Sequence, residues 1–141
     1  MPIVYFHSSA FVKLVVEEDG SDLAAALWDG CDAAVSSRLA YPEVRAALAA
    51  AGRAHRLDPA DHRRAEATWS DYWAATRIVE LTEAVTAHAG QLAGQHPLRG
   101  GDAVHLASLL AVGAAETLFA VWDHRLRVGA QTAGVQMAPA T

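Results

Sequence analysis

Short apolar runs alternate with helical patterns along the whole chain. Each run is rich in β-branched and aromatic residues and is too short for a helix, so we predict strands. The predicted strands are Pro2–Phe6, Ala33–Ser36, Arg77–Leu81, Thr117–Trp122 and, at one edge, Val135–Met137. Because a helical pattern separates each strand from the next, the chain predicts an α/β fold with a mainly parallel sheet.

The helical patterns begin and end at residues that favour helix termini. The expected N-terminal caps are Ser8 or Ser9, Ser21 or Asp22, Asp58 and Thr82. The expected C-terminal stops are Gly52, Gly113 and Gly134. In the pattern that follows Asp58, the aromatic residues Trp69, Tyr72 and Trp73 share one face. We interpret this face as part of the core or as a surface that contacts a partner.

The stretch from Leu98 to Ser108 combines a chain break, a carboxylate and a buried helix. Gly100 and Gly101 interrupt the pattern, and the residues after Asp102 are apolar almost all round, which is typical of a buried helix. We expect Asp102 to be the N-cap of this helix, because an aspartate there accepts hydrogen bonds and suits the helix dipole. A carboxylate at this position is either a plain cap or a metal ligand, and the local sequence leaves both open.

Composition limits the class of protein. The chain has 141 residues, of which 52% are hydrophobic and 19% charged, and this fits one globular domain over residues 1–141. Cys31 is the only cysteine, which excludes an internal disulfide and a cysteine cluster for zinc. No signal-peptide pattern and no apolar run of membrane-spanning length is present, so we expect a cytoplasmic protein that does not contact a membrane.

The formal net charge of −5 argues against a protein that binds nucleic acid by charge alone. It does not exclude a nuclease, because the carboxylates of a nuclease site are neutralised by metal. No glycine-rich phosphate loop follows the first predicted strand, which argues against a flavodoxin-like binder.

Four polar residues from distant parts of the sequence each lie at the end of a predicted strand or the start of a predicted helix. His7 follows the first predicted strand, Glu43 lies in the first turn after the second, Asp123 follows the fourth, and Asp102 begins the buried helix. The carboxyl ends of parallel strands share one edge of the sheet, so we expect these residues to meet in a crevice there. Carboxylates this close repel one another unless a cation is bound, and Mg²⁺ with retained waters suits phosphodiester hydrolysis.

Four segments in this order resemble the PIN domain, and in particular the VapC-type toxins of bacterial toxin–antitoxin modules. They are Tyr5–Leu14, Ser36–Leu48, Leu98–Ala107 and Phe119–Leu126. Each segment alone is a weak motif, and the specificity lies in their order over nearly the whole chain. The resemblance implies a PIN-like, three-layer α/β/α fold with a mainly parallel, five-stranded sheet.

The resemblance also implies a function. It points to a Mg²⁺- or Mn²⁺-dependent endoribonuclease that cuts RNA, is often a homodimer and is silenced by a cognate antitoxin peptide lying over its site. Carried over by position, Glu43, Asp102 and Asp123 are the acidic residues that hold the metal and carry catalysis. Ser9 is the catalytic hydroxyl beside the first-strand position.

One position departs from the family pattern, because His7 stands where the family has an acid after the first strand. Imidazole removes a negative charge and offers a nitrogen ligand to the metal, which suits Mn²⁺, Zn²⁺ or Ni²⁺ better than Mg²⁺. Three interpretations are open: a weakened member of the family, a site retuned to a softer metal, or an Asp→His change that tames a toxic protein. The alternative function is a catalytically weakened or dead PIN scaffold that binds a peptide or an RNA.

Other polar residues have plain structural interpretations. His105 lies on nearly the same helix face as Asp102, and we interpret it as a core histidine or one that supports a ligand rather than as a ligand itself. Asp123 would also serve as a simple helix cap. The basic residues between Arg45 and Arg64 form either an RNA-facing patch or an ordinary solvated face.

Overall fold

Five strands form one sheet in the order β3-β2-β1-β4-β5 in the computed structural model, which describes residues 2–141. The strands are β1 (Ile3–Phe6), β2 (Ala33–Ser37), β3 (Arg77–Val79), β4 (Thr117–Ala120) and β5 (Met137–Ala138). Every pair of neighbours is parallel. The predicted α/β class, the parallel sheet and the five strands are therefore confirmed.

Between residues 2 and 141, seven helices and one short 3₁₀ turn, Ala114–Glu116, connect the strands. The helices are α1 (Ser8–Val15), α2 (Ser21–Gly30), α3 (Ala40–Arg53), α4 (Pro59–Ala74), α5 (Glu83–Gln95), α6 (Gly100–Val112) and α7 (His124–Thr132). Within the described part of the chain, none of them combines the length and the apolar content that crossing a bilayer requires.

The sheet separates two hydrophobic cores, because successive side chains of a strand point to opposite faces. On β1, Tyr5 packs into the core that α5, α6 and α7 cover. Val4 and Phe6 pack into the other core, beneath α1, α3 and α4. The result is the three-layer α/β/α arrangement that the sequence predicts.

The predicted aromatic face belongs to the second core. Trp69 is fully buried, and its ring centroid lies 4.8 Å from that of Phe11 in α1. Tyr72 is half-buried against Trp28 of α2, with centroids 4.8 Å apart, and Trp73 packs on the same cluster. This face therefore joins α4 to α1 and α2, and of the two interpretations the core is the correct one.

Several predicted helix ends are confirmed. Asp58 caps α4 by accepting a hydrogen bond from Asp61 N at 2.7 Å, and Thr82 caps α5 by accepting one from Val85 N at 3.2 Å. α6 ends at Gly113 as predicted, and Gly134 follows α7 with φ +76°. At these positions the residue type alone favours a helix end, so the prediction holds whatever the surrounding fold.

Other predicted ends are wrong. His7, rather than Ser8 or Ser9, is the N-cap of α1. Gly20, with φ +92°, precedes α2, because the Ser21 hydroxyl is already bonded within the turn to Val16 O and Glu18 N. Gly52 lies inside α3, which continues to Arg53.

The strand ends also shift slightly. β4 stops at Ala120 rather than at Trp122, because the amide of Trp122 donates to Ser9 Oγ instead of to a neighbouring strand. The last strand is Met137–Ala138 rather than Val135–Met137, and β3 ends at Val79 rather than at Leu81.

The connection between α5 and α6 packs tightly on α7. A Cβ atom built on Gly129 would collide with the side chain of Leu98, so α7 lies closer to this connection than any residue with a side chain would allow. Leu98 is the residue before Arg99, and this contact therefore fixes the entry to α6.

We expect Gly129→Ala to lower the free energy of unfolding by ~1–3 kcal/mol, because the added methyl overpacks the Leu98 contact. Equilibrium unfolding in urea measures this change. Gly90→Ala is the matched control: Gly90 is exposed in α5 and a Cβ there meets no atom within 4 Å. That variant should gain up to ~1 kcal/mol from better helix propensity, and equal losses in both variants would contradict the overpacking argument.

Candidate active site

The carboxyl edge of the sheet collects the polar residues that the sequence singles out. His7 directly follows β1, Glu43 lies in the first turn of α3 after β2, and Asp123 begins α7 after β4. Asp102 lies in the first turn of α6, and the charges of Glu43, Asp102 and Asp123 all act on the guanidinium of Arg99. The structure thus brings together the groups that the sequence places at strand ends and helix starts.

Arg99 contacts two of the three carboxylates, those of Asp102 and Asp123. Its Nε lies 3.2 Å from Asp102 Oδ2, and its Nη2 lies 3.4 Å from Asp123 Oδ2. The hydrogen bond to Asp102 raises the pKa of Arg99 most, followed by the charges of Asp102 and Asp123, and Glu43 adds to the same effect. A positive group is therefore what this arrangement of carboxylates favours.

Asp102 is almost completely buried and belongs to the first turn of α6 rather than to its cap. The helix begins at Gly100, with Arg99 as N-cap, so the prediction that Asp102 is the N-cap is wrong. Both glycines adopt helical geometry and extend the helix backwards. Asp102 Oδ2 still accepts a hydrogen bond from the free amide of Arg99 at 3.2 Å, which keeps its charge at the positive end of the helix.

Asp123 does what a plain cap does and also faces the site. Its Oδ1 accepts a hydrogen bond from Leu126 N at 3.0 Å, while its Oδ2 contacts Arg99. Its side chain is 31% exposed, against 8% for Asp102. The cap explains why Asp123 is fixed in place, and its second oxygen contacts the same guanidinium as Asp102.

A buried chain of hydrogen bonds holds Glu43. His105 Nε2 lies 2.6 Å from Glu43 Oε1, and His105 Nδ1 lies 2.8 Å from the hydroxyl of Tyr5. Burial raises the pKa of Tyr5, so its hydroxyl keeps its proton and donates to Nδ1. His105 then donates from Nε2 to the carboxylate. Both nitrogens of this fully buried ring are used, which fits the interpretation of His105 as a supporting residue.

His7 occupies the first-strand position as a neutral ring. Burial lowers its pKa well below the usual value, and the nearby His105 and Arg99 lower it further. Its Nδ1 accepts a hydrogen bond from Ser9 N at 3.1 Å, and its Nε2 lies 3.4 Å from Ser8 Oγ. The imidazole thus caps α1 but contributes no negative charge to the site.

Ser9 ties the ends of two central strands together. Its Oγ accepts a hydrogen bond from Trp122 N at 2.9 Å and lies 2.8 Å from His7 Nδ1. Ser9 is therefore beside the first-strand position, where the resemblance predicts a hydroxyl.

Among the described residues, one group of three possible metal ligands already lies close together, and it does not include Asp102 or Asp123, which contact Arg99 instead. His7, Glu43 and His105 each offer one ligand atom, and these atoms lie within 4.8 Å of one another. Glu43 also approaches α6, since a Cβ built on Gly101 would lie 3.8 Å from Glu43 Oε2. Glu43 therefore lies between the two histidines and the first turn of α6, which carries Asp102.

Sequence reasoning missed Arg99 and Tyr5. Arg99 precedes Asp102 by three residues, a spacing that places both on one helix turn, so the signal for it was present. Tyr5 gives no such signal, because a tyrosine in a buried strand reads as a core residue. Only the three-dimensional contact with His105 reveals its part.

The basic stretch between Arg45 and Arg64 lies along α3 and α4, and two of its arginines pair with neighbouring carboxylates. Arg45 Nε contacts Glu66 Oε2 at 2.6 Å, and Arg64 Nη1 contacts Asp61 Oδ1 at 2.7 Å. These pairs favour the interpretation as a solvated face.

Comparison with known proteins matches this geometry to a family. A family model described as PIN domain covers residues 4–127. The chain is 65% identical over 140 residues to ribonuclease VapC45 of Mycobacterium tuberculosis (strain CDC 1551 / Oshkosh), which covers 99% of this chain and 97% of the relative.

Two solved structures share the fold. Mycobacterium tuberculosis VapC20, a sarcin-ricin loop cleaving toxin, is 16% identical with a TM-score of 0.66, covering 89% of this chain and 93% of that one. A toxin–antitoxin complex from Klebsiella pneumoniae is 15% identical with a TM-score of 0.57, covering 84% of each chain.

The lowered pKa of His7 makes stability depend on pH. The unfolded chain binds a proton at this residue near pH ~6.5 and the folded chain does not, so the free energy of unfolding falls as the pH falls below that value. Asparagine keeps the helix cap but does not titrate. Between about pH 7 and 5.5, we therefore expect the free energy of unfolding of His7→Asn to fall by about 1 kcal/mol less than that of the wild type.

Urea unfolding in the presence of a chelator measures this difference in the metal-free protein. His55→Asn, which removes an exposed histidine, is the matched control and should follow the wild type. A His7→Asn curve parallel to that of the wild type would show that His7 protonates equally in both states.

Proposed function

Because this chain belongs to the PIN-domain family, we propose that it is a metal-dependent endoribonuclease, the toxin of a type II toxin–antitoxin module. It hydrolyses RNA phosphodiester bonds, which inhibits translation and growth, and a cognate antitoxin silences it. The single observation that carries the proposal is the meeting of Asp102 and Asp123 on the guanidinium of Arg99 at the carboxyl edge of the sheet, with Glu43 Oε2 close to the first turn of α6. The 65% identity to a protein named a ribonuclease supports the reaction.

The donor set fits a divalent ion. Carboxylate oxygens are the ligands that Mg²⁺ and Mn²⁺ take in proteins, and Arg99 already shows that the cluster favours a positive group. We assign Glu43, Asp102 and Asp123 as metal ligands and catalytic residues, with His7 as a further ligand. The bound ion would polarise a phosphoryl oxygen and lower the pKa of a water that attacks the phosphorus.

The chain's own residues orient these ligands. His105, held by Tyr5, fixes the Glu43 carboxylate, and backbone amides at two helix starts fix Asp102 and Asp123. Arg99 is long and exposed, and its guanidinium is suited to a phosphate oxygen of the substrate when it leaves the carboxylates.

Ser9 and His7 act together in this proposal. Metal binding by His7 would need the other tautomer, in which Nδ1 gives up the hydrogen bond it accepts from Ser9 N and donates its proton to Ser9 Oγ, 2.8 Å away. In that tautomer the lone pair of Nε2 is free to bind a metal, because the contact from Nε2 to Ser8 is long, at 3.4 Å. A nitrogen ligand in place of a carboxylate shifts preference from Mg²⁺ towards Mn²⁺.

The proposal extends to assembly and location. Residues 1–141 form a single PIN-like domain that acts in the cytoplasm as a homodimer, with RNA as substrate and no membrane contact. The shared fold with a toxin–antitoxin complex supports a cognate antitoxin protein as partner.

We expect Asp102→Asn and Asp123→Asn to abolish RNA cleavage while leaving the helices intact. The amide oxygen of asparagine still accepts the hydrogen bonds from Arg99 N and Leu126 N, so only the charge is lost. Cleavage of total RNA in Mn²⁺ should fall by at least about tenfold to a hundredfold, and the rise in Tm that Mn²⁺ produces should disappear.

Asp58→Asn is the matched control, since it makes the same change at the cap of α4, away from the site. Its cleavage and its Mn²⁺-dependent Tm should equal those of the wild type. Full cleavage by Asp102→Asn and Asp123→Asn would reduce both aspartates to plain helix caps and end the proposal.

The identity of the metal depends on His7. We expect the wild type to cleave RNA faster in Mn²⁺ than in Mg²⁺, and His7→Asp to raise cleavage in Mg²⁺ by about tenfold to a hundredfold. Paired assays of both forms with each metal and with chelator measure this. Equal Mg²⁺ rates would show that the first-strand acid is dispensable here, and inactivity of both forms in both metals would contradict the enzyme.

A further inference from the structure

A groove of about 620 Å³ opens beside the candidate active site, between the α5–α6 connection and the first turns of α7. Its polar side chains are His96, Arg99, His124 and Arg125, and its apolar lining is Ala93, Pro97, Leu98 and Val128. No carboxylate lines it, although the chain as a whole carries a formal charge of −5. The groove is therefore a local basic surface on an acidic protein.

The groove is continuous with the carboxylate cluster. Arg99 lines the groove and also contacts Asp102 and Asp123. His124 and Arg125 follow Asp123 directly and form the first turn of α7, both exposed to solvent. A strand whose cleaved bond lies at the carboxylates therefore enters this groove within the next few nucleotides.

The chemistry of the lining suits single-stranded RNA better than an acidic peptide. Guanidinium groups donate paired hydrogen bonds to phosphate oxygens, and histidine rings stack on unpaired bases. An acidic peptide would use the two arginines but would gain nothing from ring faces. The combination of Arg99 and Arg125 with His96 and His124 therefore favours RNA.

A second pocket with basic groups is a weaker candidate. It lies between α3 and α4 and is lined by Arg53, His55 and His62, but Asp58 lies in it as well. Arg53 is the last residue of α3, ten positions beyond Glu43, which separates it from the site by about 15 Å along the helix. This pocket shares no lining residue with the carboxylate cluster.

We propose that the groove between the α5–α6 connection and α7 binds the phosphates and bases of the RNA segment next to the cleaved bond. This inference rests on the proposed function, since it names the surface by which that site holds its substrate. Arg125 is the residue that distinguishes it best, because it lines the groove without touching the carboxylates that we assign to the metal.

The experiment measures binding apart from cleavage. A short, fluorescein-labelled single-stranded RNA is titrated with the full chain in the presence of a chelator, and gels confirm that the RNA stays intact. Fluorescence anisotropy gives the Kd at several salt concentrations. Arg125→Ala should weaken binding at least about threefold and lower the slope of log Kd against log salt by about 0.7, the value for one lost phosphate contact.

Two variants control for charge and folding. Arg63→Ala removes the same charge from the exposed face of α4 and should bind as the wild type does. Arg125→Lys keeps the charge and should recover most of the affinity. Equal binding by Arg125→Ala and Arg63→Ala would overturn the inference, and so would a larger loss in Arg63→Ala, which would place the RNA along α3 and α4.

A polyglutamate peptide tests the other class of ligand, and binding as tight as that of RNA would show a groove for acidic peptides and overturn the inference. A cleavage assay in the presence of metal distinguishes failure of this inference from failure of the proposed function. A chain that cleaves RNA without any effect of Arg125→Ala retains the function and loses this groove. A chain that binds RNA through Arg125 but never cleaves it retains the groove and loses the function.

Discussion

Mutual repulsion among the carboxylates is the constraint on which the site depends. Glu43, Asp102 and Asp123 come from three separate helices, and the parallel sheet forces them towards one edge. Asp102 and Asp123 contact Arg99 and accept hydrogen bonds from amides at helix starts, and Glu43 accepts one from His105. The supports of the two aspartates come from the same few residues that begin α6 and α7, so fold and site share their stabilising contacts.

Two buried histidines extend this arrangement inward. His7 and His105 lie with ring centroids 4.6 Å apart, and two charged rings at that distance in a buried setting would be strongly destabilised. The lowered pKa of His7 avoids this conflict. His7 therefore adds no charge to the interior side of the site.

Periodicity and cap signals predicted the fold class, the five strands and the meeting of His7, Glu43, Asp102 and Asp123 at one edge. They failed where two parts of the chain compete for the same hydrogen bond. The ring of His7 caps α1 because Ser9 is engaged with Trp122, a residue far away in sequence. Asp102 is displaced from the cap because two glycines that read as a break continue the helix.

The part of Tyr5 was beyond sequence reasoning for the same reason. Its partner His105 lies 100 positions away, and only the packing of α6 against β1 brings them together. For Arg99, the sequence shows its spacing from Asp102. Its contact with Asp123, which makes it part of the site, is visible only in the structure.

The two edges of the sheet determine how a peptide can approach this protein. β3 has three residues and β5 has two, β3 begins with Arg77, and Pro139 directly follows β5. Short edges next to a charge or a proline offer few free backbone groups, which discourages the addition of a foreign strand. Under the proposed function, a silencing peptide would be recognised mainly through side chains on helix surfaces, where its sequence rather than backbone pairing decides the match. The side chains on these helix surfaces would then determine which peptide each related protein binds.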